Sequence, residues 1–361
     1  MNSLLALPLL CALSVFLVTW LIIRCGERFS WIHDHETTAI QKLHINPVPR
    51  VGGVAIATSV WLLECLTSLM GRTSSTNLSL LVLVASLPVF ASGLLEDLTK
   101  RVGPRERLFA AFLSAGIASL WFGANLVKVE IPGVDYLLSH FYVFSLLFTC
   151  FAVGGVAHSY NLIDGINGLA SGMMMIALAA LASVAYVVGD NDIVNFALVT
   201  AGGVLGFMIW NFPNAKIFLG DSGAYFIGFL IAEMSVLLVI RNPEVSPWFP
   251  IVASGYPIIE TLFSIFRRKI LLKSKVGSPD NEHLHQLVYR NLKNSLADKP
   301  TSTYHFYTAL IAWCISAVTA SLSVVLFSNS MMLVLVFLLA SFFFVTIYLT
   351  HFRLLSLKFI R

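Results

Sequence analysis

Long apolar runs, separated by short polar segments, dominate the pattern of hydrophobic and polar positions along the chain. Runs of about 18 to 23 residues are long enough to cross a bilayer as helices. They lie at residues 3–23, 51–71, 78–95, 108–126, 140–160, 169–188, 194–211, 222–240, 247–266, 306–328 and 331–350. The pattern predicts an all-α polytopic membrane protein with about 11 transmembrane helices.

Two segments need a separate interpretation. The first apolar run has no basic residue before it, and Arg24 and Arg28 follow it, so we expect a span rather than a cleaved signal peptide. The segment "VKVEIPGVDY", residues 127–136, alternates apolar and polar residues around Pro132-Gly133. This alternation predicts a small β-hairpin outside the membrane.

The basic residues indicate the orientation of the chain. With the N-terminus outside, the only outer basic residues are Arg72, Lys128 and Arg241, which leaves 20 of the 23 lysines and arginines inside. The positive-inside rule therefore predicts an outer N-terminus and a cytoplasmic C-terminus. The inner segments before the C-terminal tail are then residues 24–50, 96–107, 161–168, 212–221 and 267–305.

Composition excludes an ordinary soluble protein. The 361 residues are 57% hydrophobic and 12% charged, with a mean hydropathy of +0.83, whereas a soluble domain is about 25% charged. We therefore expect residues 1–361 to form one integral-membrane domain instead of two or three soluble ones. The net charge of +4 lies on the inner loops, which favours anionic lipid head groups or an anionic substrate, and not nucleic acid.

The polar residues gather on the predicted inner side. Ionisable groups at membrane depth cost roughly 2.5–3.5 kcal/mol each, so they usually mark function. The polar residues predicted to lie at the inner membrane surface are Glu96, Asp97, Asn161, Asp164, Asn167, Asn211, Asp221, His283 and His285. We expect these distant segments to line one polar cavity.

The residue types at this cavity suit phosphate chemistry. Carboxylate and amide oxygens are ligands for Mg²⁺, with Mn²⁺ as a substitute, and Lys100 and Arg107 are among the nearby bases that would hold phosphate. This combination suggests phosphoryl transfer. Each feature taken alone has a simpler interpretation: a solvated helix end for Glu96-Asp97, a turn for the Asp164 segment, and surface histidines for "HLH".

Five motifs, in a fixed order, resemble those of the polyprenyl-phosphate N-acetylhexosamine-1-phosphate transferases, glycosyltransferase family 4. The motifs are "HINPVPRVGG", "EDLTK", "NLIDGINGL", "NFPNAKIFLGDSG" and "NEHLHQL", with a weaker sixth, "PIIETL". The resemblance extends over nearly the whole chain. The histidine motif is more similar to the O-antigen and common-antigen branch than to the peptidoglycan branch.

The resemblance implies a Mg²⁺-dependent reaction at a bacterial inner membrane, with the active site facing the cytoplasm. A UDP-activated amino sugar, such as UDP-GlcNAc, would give its sugar-1-phosphate to undecaprenyl phosphate and leave UMP. The lipid-diphosphate-sugar would initiate O-antigen, lipopolysaccharide or another surface polysaccharide. A homodimer is suggested by the resemblance alone.

The resemblance also implies roles for individual residues. Asp221 matches the principal Mg²⁺ ligand, and Asp97 the carboxylate that activates or orients the lipid phosphate. The remaining expected catalytic residues are Glu96, Asp164, His283 and His285. The expected substrate-binding residues are His44, Arg50, Lys100, Arg107, Asn161, Asn167 and Asn211.

The chain departs from the family pattern at four positions. Glu96 and Glu260 replace aspartates, Asn167 stands where many relatives have aspartate, and Gln286 replaces a histidine. These departures raise the alternative of a catalytically inactive family member. A transporter or lipid flippase is a second alternative, although the absence of a visible internal repeat favours the enzyme.

Overall fold

The structure is a computed structural model that describes residues 5–26, 48–70, 77–273 and 280–359. Fifteen α-helices and one π-helical turn account for most of these residues. They are α1 (Ala6–Gly26), α2 (Gly52–Leu69), α3 (Leu78–Ala85), α4 (Leu87–Thr99), α5 (Pro104–Phe122), α6 (Pro132–His140), α7 (Tyr142–Leu162), α8 (Leu169–Val187), α9 (Asn191–Asn211), α10 (Gly220–Arg241), α11 (Trp248–Ala253), α12 (Gly255–Phe266), the π-helical turn (Arg267–Leu271), α13 (Leu284–Ser295), α14 (Thr301–Val325) and α15 (Ser330–Phe359).

The helices make this a multi-pass membrane protein. Within the described ranges, eight helices are long and apolar enough to cross a membrane, and α3 with α4, bent by 43°, makes up to nine. Two predicted spans fall short of that standard. Helix α5 has three charged residues in its first turn, Arg105, Glu106 and Arg107, and the run 247–266 is broken into α11 and α12. A total of 11 spans stays a prediction.

The predicted outer hairpin is wrong. Residues 132–140 form α6, and no β-strand occurs in the part of the chain that the structure describes. Pro132 stands at the start of α6, where its fixed φ suits a helix. The carboxylate of Asp135, in the first turn, accepts a hydrogen bond from the Val129 N–H at 2.6 Å. These local helix-start signals outweigh the alternation of apolar and polar residues, because the alternating segment is too short to form a pair of strands.

Helix α10 forms the centre of the bundle. It is apolar on all sides and almost wholly buried, with α2, α4, α7 and α8 around it. Glycines bring α2 and α4 against its first turn: a Cβ on Gly53 would lie 2.2 Å from Gly223 N, and one on Gly93 would lie 2.6 Å from Ser222 Cα. Backbone contact of this kind requires glycine, and it places the ends of α2 and α4 beside the start of α10.

The other end of α10 is held by an ion-pair network. Arg241 donates to Asp190 Oδ2 at 2.8 Å and to Asp192 Oδ2 at 3.1 Å. Asp190 also caps α9 by accepting from Ile193 N–H. The turn between α8 and α9 is thereby attached to α10 at the end opposite Asp221.

Candidate active site

The start of α10 is organised by a buried carboxylate from α4. Asp97 Oδ1 accepts from Asp221 N–H at 2.8 Å, and Asp97 Oδ2 accepts from Ser222 N–H at 2.9 Å and Ser222 Oγ–H at 2.6 Å. The first N–H groups of a helix have no partner within the helix, and its dipole favours an anion there. Asp97, only 7% exposed, therefore fixes the backbone that carries Asp221.

Gly220 makes this approach possible. Its φ is +76°, and a Cβ there would lie 2.2 Å from Arg50 O and 2.5 Å from Asp97 Oδ2. Backbone hydrogen bonds hold the segment before α2 next to it: Phe218 N–H donates to Pro49 O at 2.8 Å. Arg50 thus lies beside the site, with its Nη2 4.0 Å from Asp221 Oδ1.

Two helices, α5 and α7, bring side chains to the Asp221 carboxylate of α10. Asn161, at the end of α7, donates its amide to Asp221 Oδ1 at 2.7 Å. Arg107, in the first turn of α5, pairs with Asp221 Oδ2. The same guanidinium lies over the ring of Tyr225, 5.7 Å from its centroid. The structure therefore brings together Asp97, Asp221, Asn161 and two of the expected bases.

Asp164 lies in the turn between α7 and α8, and its backbone N–H donates to Asn161 O at 3.2 Å. The surroundings raise the pKa of its carboxyl to about 7. Burial is the main cause; the charges of Asp221 and Asp97 add to it, and Arg50 opposes it. Asp164 therefore lies close enough to Asp221, Asp97 and Arg50 for their charges to act on its carboxyl.

The histidine motif joins the site through Glu260. This carboxylate, with 0% exposure, accepts from Leu284 N–H at 3.1 Å and lies 3.0 Å from His283 Nδ1. The rings of His283 and His285 are parallel, with centroids 5.5 Å apart. A Cβ on Gly165 would lie 3.9 Å from His285 Nε2. The start of α13 therefore borders the turn that carries Asp164.

Comparison with known proteins agrees with this geometry. Residues 79–239, which span α3 to α10, match the model of the family described as "Glycosyl transferase family 4". The chain is 29% identical over 276 residues to the "Probable undecaprenyl-phosphate N-acetylglucosaminyl 1-phosphate transferase" of Bacillus subtilis, covering 76% of this chain and 74% of the relative. The chain belongs to glycosyl transferase family 4.

Two other relatives resemble this chain to about the same degree. An "Undecaprenyl-phosphate alpha-N-acetylglucosaminyl 1-phosphate transferase" of Thermotoga maritima is 29% identical, over 70% of this chain and 72% of the relative. A "Decaprenyl-phosphate N-acetylglucosaminephosphotransferase" of Mycolicibacterium smegmatis is 31% identical, over 67% and 65%. The protein is therefore a membrane-embedded transferase of family 4.

Two asparagines that are expected to bind substrate also connect the loops of this family 4 site. Asn211 Oδ1 accepts from Gly168 N–H at 2.7 Å, and its amide donates to Ile217 O at 2.9 Å. The Asn167 amide donates to Pro213 O at 3.0 Å. An aspartate at position 167 has no hydrogen to donate to that carbonyl, which explains the departure from the family pattern.

Gln286 also has a structural explanation. It is the third residue of α13, and its side-chain carbonyl accepts from His283 N–H at 3.3 Å. This contact belongs to a capping box, which satisfies N–H groups at a helix start. The family histidine is thus replaced by a residue that stabilises the helix carrying His285.

Two other expected residues lie apart from the Asp221 contacts. Glu96, expected to be catalytic, accepts from Val102 N–H at 2.8 Å and so stabilises the turn after α4. Adjacent helical side chains diverge by about 100°, which separates Glu96 from Asp97. Lys100 is exposed and ends α4 with φ +57°. His44 lies outside the described residues.

Several contributors were missed at the sequence level. Ser222 and Tyr225 follow Asp221 on α10, and His158 precedes Asn161 by three residues on α7, with His158 Nδ1 2.6 Å from the Tyr225 hydroxyl. Helical spacing of three or four residues from a known motif position is the signal that identifies His158 and Tyr225. Arg267, the first residue of the π-helical turn, pairs with Asp280 and Glu282, shortly before His283.

Proposed function

We propose that this family 4 transferase moves an N-acetylhexosamine 1-phosphate from a UDP-sugar to undecaprenyl phosphate and releases UMP. The single observation that carries the proposal is the Asp221 carboxylate at a buried helix start, in contact with Arg107 and Asn161 and near Arg50. Such a group holds one carboxylate among bases that bind phosphate oxygens. The relatives from Bacillus subtilis and Thermotoga maritima are named as N-acetylglucosaminyl 1-phosphate transferases that act on undecaprenyl phosphate, which is this class of reaction.

The reaction exchanges one phosphorus–oxygen bond for another. An oxygen of the lipid phosphate forms a bond to the phosphorus that carries the sugar, and the bond from that phosphorus to the bridging oxygen breaks. The bridging oxygen leaves with UMP. Positioning and charge neutralisation supply most of the rate in such transfers, which suits a site built from bases and fixed carboxylates.

A Mg²⁺ ion fits the donor chemistry of this site. Mg²⁺ usually takes one or two protein carboxylates and keeps its other positions for water and substrate phosphate. In the described ranges no group of three or more His, Cys, Asp or Glu residues forms a ready-made metal site. Asp221 would hold the ion, with Asp164 and Asn161 nearby, and the ion would neutralise charge on the diphosphate.

The contacts suggest how the chain divides the remaining work. Asp97 has both oxygens engaged with the start of α10, so we assign it the positioning of Asp221 rather than proton transfer. Arg107 and Arg50 would release Asp221 to the metal and bind phosphate oxygens. His283 and His285, held by Glu260 beside Gly165, would contact the diphosphate or its leaving group.

The distribution of basic residues supports a cytoplasm-facing site in a bacterial inner membrane. The residues around Asp221 come from the predicted inner segments 24–50, 96–107, 161–168 and 212–221, and the histidines come from the predicted inner segment 267–305. We infer a single integral-membrane domain whose donor is a cytoplasmic UDP-N-acetylhexosamine. The product would initiate O-antigen or another surface polysaccharide.

The test uses purified protein with undecaprenyl phosphate, Mg²⁺ and a panel of UDP-amino sugars, and it follows UMP and lipid product together. We expect Mg²⁺-dependent UMP with matching lipid-diphosphate-sugar from at least one donor. Asp221→Asn should abolish both, whereas Asp192→Asn, the same change on α9 beside the opposite end of α10, should retain them. No UMP from folded protein that binds the lipid would favour a flippase or an inactive family member.

A further inference from the structure

Tyr225 and His158 form a hydrogen-bonded pair one helical turn deeper in the bundle than the Asp221 contacts. Tyr225 follows Asp221 by four residues on α10, and it is 0% exposed. His158 precedes Asn161 by three residues on α7. Residues three or four apart share one face of a helix, and the Tyr225 hydroxyl lies 2.6 Å from His158 Nδ1. We call these two residues the Tyr–His pair.

The ring of Tyr225 also supports the Arg107 side chain. The centre of the guanidinium lies 5.7 Å from the ring centroid, and a planar guanidinium is attracted to the face of an aromatic ring. Arg107 is 8% exposed, and its Nε donates to Gly103 O at 3.3 Å. Its other end pairs with Asp221 Oδ2. The guanidinium is therefore held by a carboxylate and by an aromatic ring together.

Asp221 has two partners to serve in the proposed reaction. In this structure its carboxylate pairs with Arg107, and during transfer it would hold the metal ion. Once the carboxylate turns to the metal, Arg107 keeps its contacts with Gly103 O and the Tyr225 ring. A long side chain loses rotamer entropy when it is fixed for binding. A ring that already restrains the guanidinium reduces this loss, provided that the ring is itself fixed by its bond to His158.

We propose that the Tyr–His pair positions the Arg107 guanidinium, so that Arg107 binds a phosphate oxygen of the UDP-sugar while Asp221 holds the metal. The inference rests on the proposed function. Tyr225 and His158 act through Arg107, so they are positioning residues and not catalytic ones. A hydrogen bond that served only to satisfy a buried hydroxyl would stabilise the protein without changing the partners of Arg107, and binding measurements distinguish the two roles.

The variant His158→Leu removes the hydrogen bond and leaves a side chain in its place. The probes are UDP, which carries the diphosphate of the donor, and Mn²⁺, whose free concentration is measured by EPR. At saturating Mn²⁺ the Kd for UDP should rise about tenfold, equivalent to about 1.4 kcal/mol, because Arg107 no longer meets the phosphate in a fixed orientation. The Kd for Mn²⁺ without nucleotide should not rise, since a loosened Arg107 competes no more strongly for Asp221.

Two further variants test whether the hydrogen bond itself is responsible. Tyr225→Phe keeps the ring under Arg107 and removes the hydroxyl, so it should weaken UDP binding by a similar factor. The double variant with His158→Leu should bind UDP no more weakly than the weaker single variant, because both changes remove one interaction. His158→Asn places a hydrogen-bonding atom near the position of Nδ1, and it should retain most of the UDP affinity.

The matched control is His140→Leu, the same substitution in a second histidine that contacts a tyrosine. His140 ends α6, immediately before α7, and so lies at the end of α7 opposite Asn161. Its ring stacks on Tyr136, with centroids 4.3 Å apart. We expect His140→Leu to bind UDP and Mn²⁺ as the wild-type protein does. Thermal unfolding checks that every variant folds.

The outcomes separate this proposal from the transferase itself. A rise in both Kd values for His158→Leu would indicate a general structural defect and overturn the positioning role. An unchanged Kd for UDP in folded His158→Leu would also overturn it, and in both cases the wild-type transferase stands. Wild-type protein that binds no UDP in the presence of Mn²⁺ would instead reject the proposed function, and this inference with it.

Discussion

Replacement of Asp97 by asparagine distinguishes a positioning carboxylate from a general base. The carboxylate accepts three hydrogen bonds, from the Asp221 and Ser222 N–H groups and the Ser222 hydroxyl. In Asp97→Asn one oxygen becomes an NH₂ group that faces at least one N–H of α10. If the remaining oxygen keeps both Ser222 donors, the Asp221 N–H loses its partner.

The size of the effect follows from these contacts. A hydrogen bond to a charged acceptor contributes about 1.5–3 kcal/mol, and the two retained bonds weaken because their acceptor loses its charge. We therefore expect Asp97→Asn to lower the free energy of unfolding by about 3 kcal/mol. Movement of Asp221 by about 1 Å would lower turnover roughly 100-fold. Ser222→Ala, which removes only the hydroxyl donor, should cost about 0.5–1.5 kcal/mol.

The assay compares three quantities for wild-type protein and both variants in detergent: UMP release, Mg²⁺-dependent binding of the UDP-sugar, and thermal unfolding. A positioning role requires Asp97→Asn to lower all three. Loss of turnover with unchanged unfolding and unchanged donor binding would refute this reasoning and restore Asp97 as the base acting on the lipid phosphate.

Three further predictions concern the loops around the site and the opposite end of the bundle. Asn167→Asp should destabilise the protein by about 1–3 kcal/mol, because it leaves Pro213 O without its donor and places a carboxylate against it; thermal unfolding measures this. Asp190→Asn should lower the free energy of unfolding by about 1 kcal/mol, because its ion pair with the partly exposed Arg241 is screened by solvent; UMP release should be unchanged. Burial lowers the pKa of His285, and the nearby charge of Glu260 opposes this shift. The free energy of unfolding should therefore fall as the pH drops below about 6.5, where the unfolded chain binds the proton more readily than the folded one. Denaturant titrations at several pH values measure this fall, and the contribution of His285 to it should be absent in His285→Gln.

The membrane-spanning helices were largely predictable from local pattern. Apolar runs of sufficient length identified α1, α2 and α7 to α10 within a few residues, because span length is set by bilayer thickness and not by packing. The errors arose where a local signal competed with the run. Helix α6 was missed because Pro132 and Asp135 start a helix inside an alternating segment, and the break after Ala253 was invisible within an apolar stretch.

The sequence predicted which residues form the candidate site better than it predicted what each residue does there. The motifs identified Asp221 and Asn161, and the basic residues of the predicted inner segments included Arg107; the structure brings all three into contact. The sequence offered no means to see that Asn167 and Asn211 bond to backbone carbonyls and amides, since their partners at positions 213, 217 and 168 depend on how two loops fold over each other.

By itself, then, the sequence determined the membrane-embedded helical class, the family and the residues that gather at one end of the bundle. These properties follow from composition, run length and motif order, which are local along the chain. Only the tertiary structure decided that Asp97 holds the start of α10, that Glu260 contacts both histidines, and that His285 lies beside Gly165. Those roles depend on distances between segments more than 20 residues apart, and helix packing rather than local propensity sets such distances.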